Sequence, residues 1–496
     1  MNCVDLIFEH VDRAPGRAAL IEAGDAPRTV TYGALGPCVD RLAAALRRAG
    51  VVDAPATRVG LLCPDGADYV LLCLALLRAG ACVVPIAGEL SSVERKQLVE
   101  MTALDRLVLG RGAKWADVPG EAVAIEAGEV SCEGRVGVCG EEVGAAFDEE
   151  ALAAMRPAFI RFSSGTTGGS KGIVLSHKRL HERIEAANKA LAIGASDSVV
   201  WMLPMAHHFA VSMMLYLMKG ATTVLVREPM AGKVLDAVHA HGGTVLYAAP
   251  FHHAMLAGEG SGRGWPGLRL AVSTAAGLPT ATAAAFDRRF GVPLSQALGV
   301  IEVGLPMVNV ARAREKPESV GQVLPDFELA LRDEAGASVE AGEVGELYVR
   351  GPGMLDAYLV PWRPGGAALS EGWFRTGDLA RRDAEGDVFL VGRGKTVINV
   401  AGLKCFPEEV EAVLNAHPQV RESRVYGRGH AHVGTVPVAE VVPMDIDSPP
   451  TAASLSTHCR QLLAAYKRPM QFQFVDALQR TASGKIRRAV GEAEGA

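Results

Sequence analysis

Between residues 58 and 291 the chain keeps returning to one pattern: a short apolar run, an amphipathic or apolar stretch of helical length, then another short apolar run. RVGLLC (58–63), DYVLLCLALLRAG (68–80) and ACVVPI (81–86) make one cycle. ATTVLV (221–226), KVLDAVHAH (233–241) and TVLYAA (244–249) make another, and LRLAVST (268–274) with PTATAAAFDRRFG (279–291) begins a third. Apolar runs of roughly four to eight residues without alternation suit strands buried on both faces. Strands joined through helices must lie parallel. The sequence therefore predicts an α/β chain with a large N-terminal body of parallel or mixed sheets covered by helices.

From about residue 317 the texture changes. FELALRD, GELYVRG and DVFLVGR alternate between Gly and Asp turns, which predicts an antiparallel β region closing the body. A smaller α+β unit follows Gly392. FPEEVEAVLNAH (406–417) carries Pro near its start and acids in its first turn, and SLSTHCRQLLAAY supplies a second helix. The expected division is 1–393 for the body and 394–496 for the small unit, which suits a chain of 496 residues. A formal charge of −6 argues against bulk binding to nucleic acid. Nine scattered cysteines, an odd number without a CxxC pair, suit a reducing cytoplasm. The first residues, MNCVDLIFEHVDRAP, lack a basic stretch followed by an apolar core, so no signal peptide is expected. The run WMLPMAHHFAVSMMLYLMKG is interrupted by Pro204, His207 and His208, so no membrane span is expected.

The segment most dense in chemistry is RFSSGTTGGSKGIVLSHKRL (161–180). Ser163, Ser164, Thr166 and Thr167 supply hydroxyls, Gly165 and its fellow glycines admit an anion close to the backbone, and Lys171 adds a positive charge. Such a loop suits a polyphosphate, although the spacing is not that of a Walker A loop. A plain Gly/Ser linker is the alternative, and the apolar segments on both sides with a lone Lys inside argue against it.

SSGTTGGSKG resembles the phosphate-binding signature of the adenylate-forming superfamily of acyl-CoA synthetases, aryl-CoA ligases, luciferases and peptide-synthetase adenylation domains. STAAGLP (273–279), QALGVIE (296–302), GELYVRGPGMLDAYL (345–359), FRTGDLA (374–380), GRGKTVINVAGLKCFPEEVE (392–411) and RTASGKIRR (480–488) follow in that family's order. The resemblance implies ATP and Mg²⁺ as cofactors, a small carboxylic acid as substrate, and coenzyme A or the phosphopantetheine of an acyl carrier protein as thiol acceptor. It implies a monomer or homodimer with a mobile C-terminal unit.

By the same resemblance Ala275 and Ala276 lie along the adenine, with Leu298, Gly299 and Ile301 nearby. Asp378 accepts from both ribose hydroxyls, as an acceptor-only carboxylate can, and Arg393 meets the ribose from the other side. Glu302 holds Mg²⁺ against the phosphates, and Lys485 stabilises charge as the carboxylate attacks the α-phosphorus. Lys395 matches the hinge, Gly402 the glycine of the thiol channel, and His207 the position beside the substrate carboxylate. Neither His207 nor His208 is an Asp, where amino-acid-activating relatives anchor an ammonium, so a plain acyl or aryl acid is expected. His208, His252 and His253 have apolar sequence neighbours and no acid or Cys at ligand spacing, which favours core over metal.

Two positions depart from the family pattern. Leu298 stands where an aromatic platform is usual, and Ile301 where a Thr hydroxyl is usual. A hydrogen bond to a charged group is worth roughly 1.5–3 kcal/mol, so losing it weakens an enzyme without abolishing it. Two alternatives therefore stay open at this point: transfer of the adenylate to an amine or internal hydroxyl, and a weakened nucleotide-binding homologue.

Overall fold

A computed structural model describes residues 2–115, 118–138, 147–162, 171–400, 403–430, 434–480 and 486–487, with the side chains of 395, 399, 403 and 404 left out. The expected loop residues Ser163, Ser164, Gly165, Thr166 and Thr167, together with Gly402 and Lys485, lie outside the described residues.

Two large sheets form the body. One has eight strands, with Leu270–Ser273, Val245–Ala248, Ser198–Trp201, Thr222–Leu225 and Ala18–Glu22 running parallel through its centre. The other has nine, with Arg106–Gly110, Arg58–Leu62, Cys82–Pro85 and Pro157–Phe162 parallel at its centre. Each predicted strand–helix–strand cycle is present: Arg58–Leu62, Ala67–Ala79 and Cys82–Pro85 form the first, and Thr222–Leu225, Ala231–His241 and Val245–Ala248 the second. Helix Ala67–Ala79 is apolar on nearly every face and packs against strands of both sheets, so it belongs to the layer between them. Gly80, at φ +94°, ends it in the left-handed conformation that glycine adopts without steric cost.

The antiparallel hairpin Glu121–Ala127 and Val130–Val136 extends the nine-stranded sheet and is absent from the sequence reading. A four-stranded antiparallel sheet, Glu328–Arg332, Val344–Arg350, Phe374–Arg382 and Val388–Arg393, follows as expected. Beyond the turn Gly394–Thr396 a fourth sheet is built on the long pair Val420–His430 and Gly434–Pro443. Helices Pro407–Asn415 and Ala452–Leu462 pack there over a separate apolar cluster that includes Val410, Leu414, Val441 and Leu455.

Candidate active site

The candidate functional residues of the body collect where strands end. Asp65 follows Arg58–Leu62, Glu89 follows Cys82–Pro85, His207 follows Ser198–Trp201, and Ala275 follows Leu270–Ser273. Ligands of parallel α/β sheets bind at these carboxyl ends, where loops and backbone donors converge.

Strands Pro157–Phe162 and Gly172–Ser176 pair antiparallel, with Phe162 opposite Gly172, so both ends of the 163–171 segment are fixed by the sheet. A third piece of chain, Ala357–Tyr358, pairs alongside, placing Tyr358 opposite Ile173. The Tyr358 ring centroid lies 4.8 Å from Lys171 Nζ, and its hydroxyl donates to Glu302 Oε1 at 3.1 Å. Burial and the Glu302 charge push the Tyr358 phenol up, so it stays a donor across the ordinary pH range. Lys171 and Glu302, 131 positions apart by subtraction of their numbers, thus share one aromatic partner.

Asp378 and Arg393 face each other across Phe374–Arg382 and Val388–Arg393, with Arg393 Nε 2.8 Å from Asp378 Oδ1. The Asp378 carboxylate is 10% exposed and the Arg393 side chain 60%, so the pair lines an open rim with the acid held below it. Gly377, at φ +76°, lies in an irregularity of strand Phe374–Arg382 where Thr376 Oγ1 accepts from the Asp378 N–H at 3.0 Å.

Ala275 is left-handed at φ +74°, a conformation that costs an alanine roughly 1–3 kcal/mol, and strain of this kind gathers at ligand sites. Gln296 is buried and accepts from the Leu278 N–H at 3.2 Å, bracing the far side of the same loop. Leu298 is buried at the lip of the core, and Ile301 packs its side chain against that core. The two departures from the family pattern are therefore filled by apolar contact.

Around His207 the structure adds residues that sequence reading missed. His207 Nε2 lies 2.7 Å from Glu89 Oε1, and this hydrogen bond holds the Glu89 carboxyl below its usual range. Arg161 donates to the His207 carbonyl, and burial lowers its pKa to about 10. Asp65 accepts from the Met205 N–H at 2.9 Å, while burial pushes its carboxyl up. His207 stands in the short helix Met205–His208, which runs through a turn of π-helix, Phe209–Met213, into Met214–Met218. Such bulges re-aim side chains and frequently mark functional sites. Tyr69 and Phe159 pack on Phe209, and Trp201 meets both His208 and Tyr216, so the buried packing behind this helix is aromatic.

His253 Nε2 donates to the Val272 carbonyl 3.2 Å away and its ring packs edge-on to Phe286, and burial lowers its pKa to about 4. That is a core histidine. Among the described residues one trio has metal-ligand character, Asp383, Glu385 and Asp387, and Lys316 Nζ already occupies its centre, 2.8 Å from Asp387 and hydrogen-bonded to the other two. All eight described cysteines are free. No helix is long and apolar enough to cross a membrane among the described residues.

At the other end of the chain, Ile486 bridges back to Arg480, and Arg424 Nη1 donates to the Arg487 carbonyl at 2.6 Å. The Glu94 carboxyl, at the start of helix Ser92–Thr102, is held low by hydrogen bonds from Ser91 and by the more distant charge of Arg487. Arg487 of the small unit thus lies within electrostatic reach of Glu94.

Comparison with known proteins accords with this geometry. The AMP-binding enzyme family model matches residues 7–359, and the AMP-binding enzyme C-terminal domain matches 409–485. An indoleacetate–CoA ligase of Aromatoleum aromaticum is 30% identical, the match covering 98% of this chain and 97% of that protein. A feruloyl-CoA synthase of an Amycolatopsis species is 31% identical over 95% of each. The o-succinylbenzoate CoA synthetase of Bacillus subtilis, solved with its acyl-adenylate intermediate, superposes with a TM-score of 0.84 at 26% identity, covering 99% of this chain and 98% of that one. With both family models matched in order and a relative 30% identical over nearly the whole of both chains, the chain belongs to the AMP-binding enzymes, the adenylate-forming superfamily, and is an AMP-forming ligase of the acyl-CoA synthetase type.

Proposed function

We propose that this ligase activates an aromatic carboxylic acid and passes it to coenzyme A, with a carrier-protein phosphopantetheine as the other thiol of the same chemistry. In the first step a carboxylate oxygen bonds the α-phosphorus of ATP and the bond to pyrophosphate breaks. In the second, sulfur bonds the acyl carbon, the acyl–oxygen bond to AMP breaks, and the thiol proton is lost to solvent. The observation that carries the reading is the meeting of Lys171, Tyr358 and Glu302 beside the pair of strands that frames residues 163–170.

In this reading Ser163, Ser164, Gly165, Thr166, Thr167 and Lys171 hold the phosphates. Asp378 takes the ribose hydroxyls while Arg393 fixes one of its oxygens, and Ala275 with Ala276 borders the adenine over Leu298 and Gly299. Glu302 fits a hard cation, since Tyr358 engages one carboxylate oxygen and leaves the second for an oxygen-loving ion. Mg²⁺ bound there neutralises phosphate charge. The acidic trio around Lys316 does not fit, because an ammonium already fills it. His207, its ring fixed by Glu89, borders the acid's carboxylate. An aryl acid is proposed because the relatives named above act on aromatic acids by their names.

Lys485 supplies the ammonium at the reacting carboxylate, Lys395 is the hinge between a body of 1–393 and a small unit of 394–496, and Gly402 borders the thiol's path. Free, buried thiols suit a cytoplasmic enzyme, acting as monomer or homodimer. The test is AMP release from a panel of aryl and alkyl acids with and without coenzyme A. Thiol-dependent release with aryl acids is expected. Release indifferent to thiol but dependent on an added amine would overturn the acceptor, and preference for alkyl chains the acid class.

A further inference from the structure

Arg183 lies in helix His177–Leu191 and is fully buried. Among the described residues it has no carboxylate hydrogen-bond partner. Nε and Nη2 both donate to the Gly353 carbonyl, at 2.9 and 2.5 Å, and Nη1 donates to the Ile301 carbonyl at 3.1 Å. Desolvation lowers its pKa to about 9, with Arg161 opposing and Asp356 and Glu302 favouring the charge, so it remains a cation at neutral pH. Burying a guanidinium against neutral carbonyls is expensive, and an apolar side chain of similar volume would fill the space at lower cost. The charge and the planar fork therefore call for an explanation beyond packing.

The two carbonyls belong to the two chain segments that define the Glu302 carboxylate. Ile301 immediately precedes Glu302. Gly353 opens the segment whose Leu355 N–H donates to the Glu302 carbonyl at 2.8 Å and whose Tyr358 hydroxyl donates to Glu302 Oε1. Both segments press on the same point of the helix. Gly353, at φ +68°, would place a Cβ 2.6 Å from Arg183 Cβ, and Gly304, at φ +111°, would place one 3.2 Å away. Gly353 is gripped from its other side too, its N–H donating to Glu182 Oε2 at 3.1 Å.

We propose that Arg183 is a positioning residue for Glu302, tying the carbonyls of Ile301 and Gly353 so that Glu302 and Tyr358 keep a fixed spacing and the Glu302 carboxylate a fixed bearing on the nucleotide's cation. The inference rests on the reading of Glu302 given above. Supporting partners of metal-holding groups typically matter by about 10–100-fold in metal affinity.

The experiment is calorimetry of AMP binding and of ATP binding across a Mg²⁺ series, on wild type, Arg183→Lys, Glu302→Gln and the double variant. Arg183→Lys is expected to raise the Mg²⁺ needed for ATP binding about tenfold, with AMP affinity unchanged within twofold. The double variant is expected to match Glu302→Gln alone. Should Arg183→Lys not fold, Arg183→Gln, which buries no charge, carries the same expectation, and Glu182→Gln loosens Gly353 in the same direction by a smaller factor. Equal weakening of AMP and ATP, or full additivity in the double variant, overturns the inference. A shift with Glu302→Gln but none with Arg183→Lys overturns it alone, whereas no shift with Glu302→Gln overturns the reading of Glu302 beneath it.

Discussion

Asp378 shows how one side chain can be prepared for a ligand before it arrives. Its carboxylate is nearly buried, and Arg393 holds one oxygen at 2.8 Å from the exposed rim. Asp378→Asn keeps the shape but loses the charge that strengthens hydrogen bonds to a diol, and is expected to weaken both ATP and AMP roughly ten- to a hundredfold in titration. Lys485→Ala is expected to cost on the order of 10²–10³ in acid-dependent pyrophosphate exchange, while thioester formation from a supplied acyl-adenylate continues. Equal loss of both half-reactions would contradict the role. At Ile301 two effects compete. A Thr there gains a hydroxyl for the α-phosphate but gives up part of the contact Ile301 makes with the core. Ile301→Thr is therefore expected to tighten ATP while lowering stability by about 1 kcal/mol, read from calorimetry and melting together.

Single residues could be picked out as candidates from sequence where they stand in a recognisable run. Asp378, Arg393, Lys171 and Glu302 sit in dense short motifs. Glu89 could not, because it meets His207 across 118 positions, and Arg183 reaches Gly353 across 170. Tyr358 lies inside a quoted motif, yet nothing in GMLDAYL announces that its hydroxyl turns to Glu302, 56 positions back.

Among the elements, helix Cys3–Arg13 depends on a proton. Cys3 N–H and Sγ both point at His177 Nδ1, at 3.3 and 3.1 Å, which requires a neutral imidazole accepting there. Burial lowers the His177 pKa from 6.5 to about 4. A histidine whose folded value lies below its unfolded one stabilises fully above pH 6.5 and loses that contribution as pH falls toward 4. The amount is about 3 kcal/mol, and His253 adds a contribution of the same sign. Melting temperature should therefore fall between pH 7 and 5, with amides of residues 3–13 exchanging faster. Exchange in that helix unaffected by acid would refute the coupling. The parallel cycles were readable because periodicity survives in local sequence. The Phe209–Met213 bulge was not, since one extra residue per turn leaves no repeat to detect. The hairpin Glu121–Ala127 and Val130–Val136 escaped notice because four of the seven residues of its first strand are exposed and its apolar runs are broken.

For the molecule as a whole, Arg487 of the small unit and Glu94 of the body carry opposite charges within electrostatic reach of each other. Glu94→Gln retains the hydrogen bond that caps helix Ser92–Thr102 while removing the charge. Adenylation should slow about two- to threefold, as befits an exposed pair. Thioester formation should not change, and the effect should disappear in high salt. Slowing that salt does not erase would assign Glu94 a different task.

The backbone seam at Tyr358 and Ile173 has one more implication. It rivets three distant stretches of the body into a single piece, none of it belonging to the C-terminal unit. In the proposed pivoting of that unit between half-reactions, the nucleotide's cradle has no reason to loosen. The intermediate can wait in place, tethered by its phosphate end, while only the catalytic partner at its acyl end is exchanged.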